Sequence, residues 1–252
     1  MRAAVLALSL AAPIAIGAAA ESPARREESV AAIPPFSASR PAPGLPAGWR
    51  ELVPSRSKAP AFALVDDGGT TVLRVHSEDA AGAAAYALHI DPAGRPILSW
   101  RWKVDRVVQR ADLAAKAGDD FAARLYVFFD VPSSELPFAD RVRIALARLQ
   151  HGGDLPSTAL CYVWDNRHPV GTAAWSPYTD RVRMIVLESG PARAGRWVDE
   201  RRDLVADYRA AFGARAALHA VSGIAVGNDT DQTYETATAW FGDVALAAGD
   251  AR

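Results

Sequence analysis

Beyond residue 70, apolar and polar residues alternate with a period of two through most of the chain. The run 71–75 is rich in β-branched residues and follows the turn-forming Asp67-Gly68-Gly69. Over 84–90, Tyr86, Leu88 and Ile90 alternate with Ala85, Ala87 and His89. Ile97–Val104 sets Leu98, Trp100, Trp102 and Val104 against Ser99, Arg101 and Lys103. Over 121–131, Ala123, Leu125, Val127 and Phe129 oppose Arg124, Tyr126, Phe128 and Asp130. Residues two apart share a face of a strand, so each run predicts a strand with one buried and one wetter face. The Leu98 and Ala123 faces are expected inside, with Arg124 and Tyr126 at least partly accessible. Further strands are expected over 160–164, 182–189, 221–226 and 237–246.

Helical spacing is scarce. Val142, Leu146 and Leu149 share a stripe over 140–150, and Val205, Tyr208 and Phe212 share one over Leu204–Phe212, where Gly213 offers a stop. Many strands with one or two short helices in the connections predict an all-β fold, an antiparallel two-sheet β-sandwich of jelly-roll type. No linker-like stretch follows residue 60 and no repeat occurs, so 36–248 reads as a single domain.

The N-terminus reads differently. Arg2, an uncharged apolar run to Gly17 and the small Ala18-Ala19-Ala20 before Glu21 have the layout of a secretory signal peptide over 1–20. A disordered leader, rich in Pro, Ala, Ser and Arg, is expected over 21–35, after which Phe36, Leu45 and Trp49 dock an irregular first segment onto the core. Export to the periplasm or beyond follows, with no transmembrane anchor once the peptide is cleaved. Of 252 residues, 28 are Lys or Arg and 29 Asp or Glu. Without a basic excess to neutralise phosphates, nucleic acid is not an expected partner. The single cysteine, Cys161, allows no internal disulfide framework and reads as a small core residue.

Strong catalytic motifs are absent: there is no nucleophile elbow, phosphate-binding loop, zinc-binding helix or Cys-x-x-Cys. No catalytic residue is assigned; Glu188, Glu200 and Asp207 are only candidates for a two-carboxylate mechanism. Asp119 and Asp120 enter the run carrying Arg124 and Tyr126, where they could bind a sugar hydroxyl or a hard cation, or merely cap a turn. Asn228-Asp229-Thr230-Asp231-Gln232-Thr233 is dense in oxygen ligands, which makes Asp229 and Asp231 candidate Ca²⁺ ligands outside any EF-hand. Trp164 precedes a polar Asp165-Asn166-Arg167-His168 run and Tyr178 follows Trp175. Rings beside Asp, Asn and Arg suit sugar binding, and equally suit a core edge. The candidate ligand set is thus Asp119, Asp120, Arg124, Tyr126, Trp164, Tyr178, Asn228 and Asp229.

Ile97–Val104, residues 118–127 and residues 228–233 resemble the signature blocks of the exported bacterial family called domain of unknown function 3047. Tyr162-Val163-Trp164, Tyr178-Thr179 and Trp240-Phe241-Gly242-Asp243 resemble lesser blocks of it. The resemblance spans about 36–246 and implies no activity. The general layout is also similar to jelly-roll carbohydrate-binding modules of the galactose-binding type, a likeness of pattern that assigns no ligand residue. Together these features lead to the expectation of an exported, non-catalytic glycan-binding protein of the cell envelope. The alternatives are a polysaccharide hydrolase or lyase, and an envelope domain that binds another protein.

Overall fold

A computed structural model of the chain describes residues 33–135 and 158–249. The expected signal peptide (1–20), most of the leader and the helix expected over 140–150 lie outside the described residues. Ile33, at the leader's end, is buried against the core with Phe36 and Trp49.

Two seven-stranded sheets face each other. The first holds β1 (Ala42–Pro43), β3 (Ala61–Asp66), β4 (Thr71–Glu78), β13 (Thr236–Phe241), β6 (Ile97–Val104) and β11 (Val198–Asp203), with β14 (Ala245–Ala247) also pairing β6. The second runs β2 (Trp49–Leu52), β5 (Ala81–Ile90), β12 (Val221–Asp229), β7 (Phe121–Phe129), β8 (Thr158–Asp165), β10 (Thr179–Ser189) and β9 (Ala173–Ser176). The expected all-β sandwich is therefore correct in its faces: Leu98, Trp100, Trp102, Val104, Ala123, Leu125, Val127 and Phe129 are all buried. Between the sheets Trp100 meets Trp102 edge-on at 5.5 Å, and Trp102 lies 5.9 Å from Trp164. Removing such a side chain from water is worth about 1.5–3 kcal/mol.

One pairing departs from the antiparallel expectation: β8 and β10 run parallel. The short strand β9 forms a hairpin with β10 and takes the sheet edge. Its Ala173 and Trp175 are exposed, whereas Met184, Val186 and Leu187 of β10 are buried, so the more apolar strand occupies the interior position. Helix α1 (Leu204–Phe212) forms as expected. Asp203 caps it by accepting from the Val205 and Ala206 amides at 3.0 Å, and Tyr208 packs on Phe129 at 4.6 Å. No helix among the described residues is long and apolar enough to cross a membrane.

Candidate ligand-binding site

Arg124 and Tyr126 leave β7 on the face of the second sheet turned away from the sandwich core. Tyr126 is half-buried, stacked on Phe128 with centroids 5.7 Å apart. The expectation of an accessible Arg124 is overturned, since only 3% of the residue is exposed. The connection between β6 and β7 folds back over this face, and its Leu113 joins Phe121 at the start of β7 with Cys161, Val163, Met184 and Val186 in a second small core.

A guanidinium buried in such surroundings persists only if it is paired and hydrogen-bonded. Arg124 Nε lies 2.7 Å from Asp229 Oδ2 and Nη2 lies 3.2 Å from Asp119 Oδ1. Nη2 also donates to the Asp119 carbonyl, Nη1 donates to the Tyr126 hydroxyl at 3.1 Å, and the group lies 4.5 Å from the Phe121 ring centroid. Opposite Arg124 on β12 stands Gly227, where any Cβ would come within 2.2 Å of the Gly82 carbonyl oxygen. Only glycine permits β5 and β12 to approach so closely beside the ion cluster.

The β12–β13 connection completes this end of the sandwich. Asp120 Oδ2 accepts from the Thr233 amide at 2.7 Å, and Asp231 Oδ2 from the Ser57 hydroxyl at 2.6 Å. Asp231 Oδ1 is shielded and has no hydrogen-bond partner among the described residues. Glu235 accepts from the Gln109 and Arg110 amides, both at 2.9 Å, and so ties the two connections together. Tyr234 holds a left-handed φ of 54° and is 75% exposed. Tyr178, 55% exposed, donates from its hydroxyl to the Lys116 carbonyl at 3.2 Å, with the Lys116 ammonium 5.3 Å from its ring centroid.

One cation among four carboxylates leaves a surplus of negative charge. Burial, reinforced by Asp119, Asp120 and Asp231, lifts the Asp229 carboxyl to about 7 against the pull of Arg124. Burial also raises Asp120, opposed by its Thr233 and Gln232 contacts. Tyr178 is raised by burial and by the same carboxylates, which puts its ring within their electrostatic reach. Burial pushes the Cys161 thiol up to about 12, so it is no nucleophile at neutral pH.

The structure thus brings Asp119, Asp120, Arg124, Tyr126, Tyr178 and Asp229 to one end of the molecule. Two other candidates are corrected. Trp164 is 1% exposed, donates to the Gly190 carbonyl at 3.2 Å and presents no ring face to a ligand. Asn228 is fully buried: its Oδ1 accepts from Ser77 Oγ at 2.6 Å and its Nδ2 donates to the Ala237 carbonyl at 3.1 Å. That amide joins β12 to strands of the opposite sheet and, without exposed surface, is out of a ligand's reach. Of the two candidate Ca²⁺ ligands, Asp229 turns to Arg124 and Asp231 to Ser57. Among the described residues no three His, Cys, Asp or Glu side chains form a metal-binding group. The reading of the sequence missed Lys116 and Tyr234. Tyr234 was within reach, because a bulky residue closing an Asp- and Thr-rich turn has little to pack on.

The carboxylates considered for hydrolysis lie elsewhere. Glu200 accepts from Trp102 Nε1 at 3.2 Å and is lifted to about 7 by burial and then by Glu188. Glu188 is itself buried and paired with Arg193 at 2.6 Å. Asp207 is held by Arg202 and by the Tyr162 hydroxyl at 2.7 Å.

The family model described as protein of unknown function (DUF3047) matches residues 47–245. The chain belongs to this family. The matched span runs from just before β2 to the first residue of β14 and so takes in both sheets. Two of the runs that carry the resemblance, 118–127 and 228–233, are those that meet around Arg124. No curated protein matches the chain. Similar solved structures include the xyloglucanase domain of NopAA from Sinorhizobium fredii, at 8% identity, covering 82% of this chain and 96% of that one, TM-score 0.44. Endoglucanase cel12A from Rhodothermus marinus is 10% identical over 84% of this chain and 99% of its own, TM-score 0.42. A family 30 carbohydrate-binding module of a Clostridium thermocellum cellulosomal cellulase is 10% identical over 88% and 97%, TM-score 0.38.

Proposed function

We propose that the protein is exported and binds a glycan, or a similar polyhydroxylated ligand, at the loop end of the sandwich without transforming it. The observation that carries this is the pairing of exposed rings with carboxylates. Tyr178 and Tyr234 are 55% and 75% exposed at the end that holds Asp119, Asp120, Asp229 and Asp231. Exposed rings offer flat faces for the C–H side of a sugar, and carboxylate oxygens accept from its hydroxyls. Non-catalytic binding is favoured over hydrolysis because Glu188 is locked to Arg193 and Glu200 to Trp102, on side chains that face the space between the sheets. Export to the envelope is supported by the charged start, the apolar run and the Ala18-Ala19-Ala20 site.

A glycan-array screen of the chain from Glu21 onward tests the binding, repeated on the Tyr178→Ala and Tyr234→Ala variants. At least one glycan class is expected to bind and to be lost in both variants while the melting temperature holds. A bound glycan that ignores both substitutions overturns this placement.

A further inference from the structure

The first sheet carries, on its outer face, an open groove of about 480 Å³ that includes none of the loop-end residues. That volume is within the range of small-ligand sites, about 300–1,000 Å³. Ser99 and Arg101 of β6 form its floor, Asp199 and Arg201 of β11 one wall, and Thr70 and Asp243 the other. The groove exists because β13 leaves β6 at Phe241 and β14 rejoins it only at Ser99. Gly242 in that gap is required by Arg101, whose Cγ would lie 2.6 Å from any Cβ there.

The polar groups of this groove are held in place before any ligand arrives. The Arg101 guanidinium lies 4.5 Å from the Trp197 ring centroid, and Trp197 is fixed by donating from Nε1 to Asp67 Oδ2 at 2.9 Å. Asp67 contacts Lys103 and Trp197 directly and feels the Arg101 charge only at a longer range, so no carboxylate among the described residues is in ion-pair contact with Arg101. Asp199 stands directly across the β6–β11 pair from Arg101 and accepts no hydrogen bond from it. Asp243 is oriented by the Ser37 amide at 2.9 Å and the Ser37 hydroxyl at 2.5 Å. A planar cation stacked on an indole and left without a carboxylate matches a ligand carboxylate by bidentate donation. Around it, Ser99, Thr70, Asp199 and Asp243 supply hydroxyls and acceptors that suit hydroxyl groups rather than an apolar surface.

We infer that this groove is a second binding site, independent of the loop end, for a hydroxylated carboxylate of the uronic acid kind, with its carboxylate on Arg101 and its hydroxyls on Asp199 and Asp243. The same chemistry is carried by a uronate residue in a polysaccharide and by a free sugar acid.

Calorimetric titration with tetragalacturonate, free galacturonate and neutral cellotetraose tests it. Tetragalacturonate or galacturonate is expected to bind at least tenfold more tightly than cellotetraose, and which of the two binds identifies the source. Arg101→Gln is expected to weaken that binding at least tenfold. Ser99→Tyr, which fills the groove and removes no charge, is expected to do the same with an unchanged melting temperature, which keeps the test valid if Arg101→Gln misfolds. Tyr178→Ala is expected to leave uronate binding unchanged, separating this site from the loop end. No uronate binding, or binding that survives Ser99→Tyr, overturns the inference.

Discussion

Replacing Arg124 by methionine removes the one cation that neutralises the buried end of the sandwich. Methionine is apolar and reaches only about as far as Nε, so the substitution removes the charge together with the guanidinium's contact with Phe121. It leaves Asp119 and Asp229 facing each other across a low-dielectric gap, and the Asp119 carbonyl and Tyr126 hydroxyl each without a donor. Breaking a buried ion pair by removing one partner costs about 3–5 kcal/mol. For a domain of this size each kcal/mol moves the melting temperature by roughly 2–4 °C, so a fall of about 6–20 °C is expected. Urea denaturation and thermal melting of the two proteins measure this. Adding Asp119→Asn and Asp229→Asn to the methionine variant is expected to restore more than half of the loss, because the stranded carboxylates are then gone. A loss below about 1 kcal/mol, in the range of an exposed ion pair, would refute the claim that Arg124 is a structural lock.

Asp229 and Glu200, both lifted to about 7, hold their protons in the folded protein at pH values where the unfolded chain has released them. Their contribution to stability is fully present below about pH 4 and is lost as the pH rises through 7, so urea midpoints are expected to fall over that interval and Asp229→Asn to flatten the slope. Asn228→Ala strands Ser77 Oγ and the Ala237 carbonyl, and chemical denaturation is expected to register a loss of about 1–3 kcal/mol. Asp203→Ala removes the cap of α1 and is expected to cost about 0.5–2 kcal/mol in the same assay. Because Arg124 and Ser57 already occupy Asp229 and Asp231, melting curves in calcium and in chelator are expected to coincide, and a calcium-dependent rise would show that the cluster opens for a metal.

The fold was legible where one face of a strand is apolar. Ile97–Val104 appears with the boundaries its alternation implies, and Leu204–Phe212 with those of its stripe and cap. Strand β11 was invisible because Val198–Asp203 carries charge on both sides, as an edge strand does to discourage further pairing. Run 237–246 read as one strand and is two, broken where Gly242 makes room for Arg101. The candidate site was legible in part. Alternation correctly turned Arg124 away from the sandwich core, but not even a correct register reveals that a connecting loop returns to cover that face. Trp164 and Asn228 were misplaced for the same reason: a polar neighbourhood in sequence does not disclose whether a side chain's partners come from the opposite sheet.

The placement of the ligand at the loop end is tested most directly by amide chemical-shift mapping of the isotope-labelled chain from Glu21 onward during titration with an array-selected glycan. Shifts are expected to concentrate at Lys116, Asp119, Asp120, Tyr178 and residues 231–234, saturating together with a single dissociation constant. Shifts confined to other surfaces, with these amides unmoved at saturation, would contradict it.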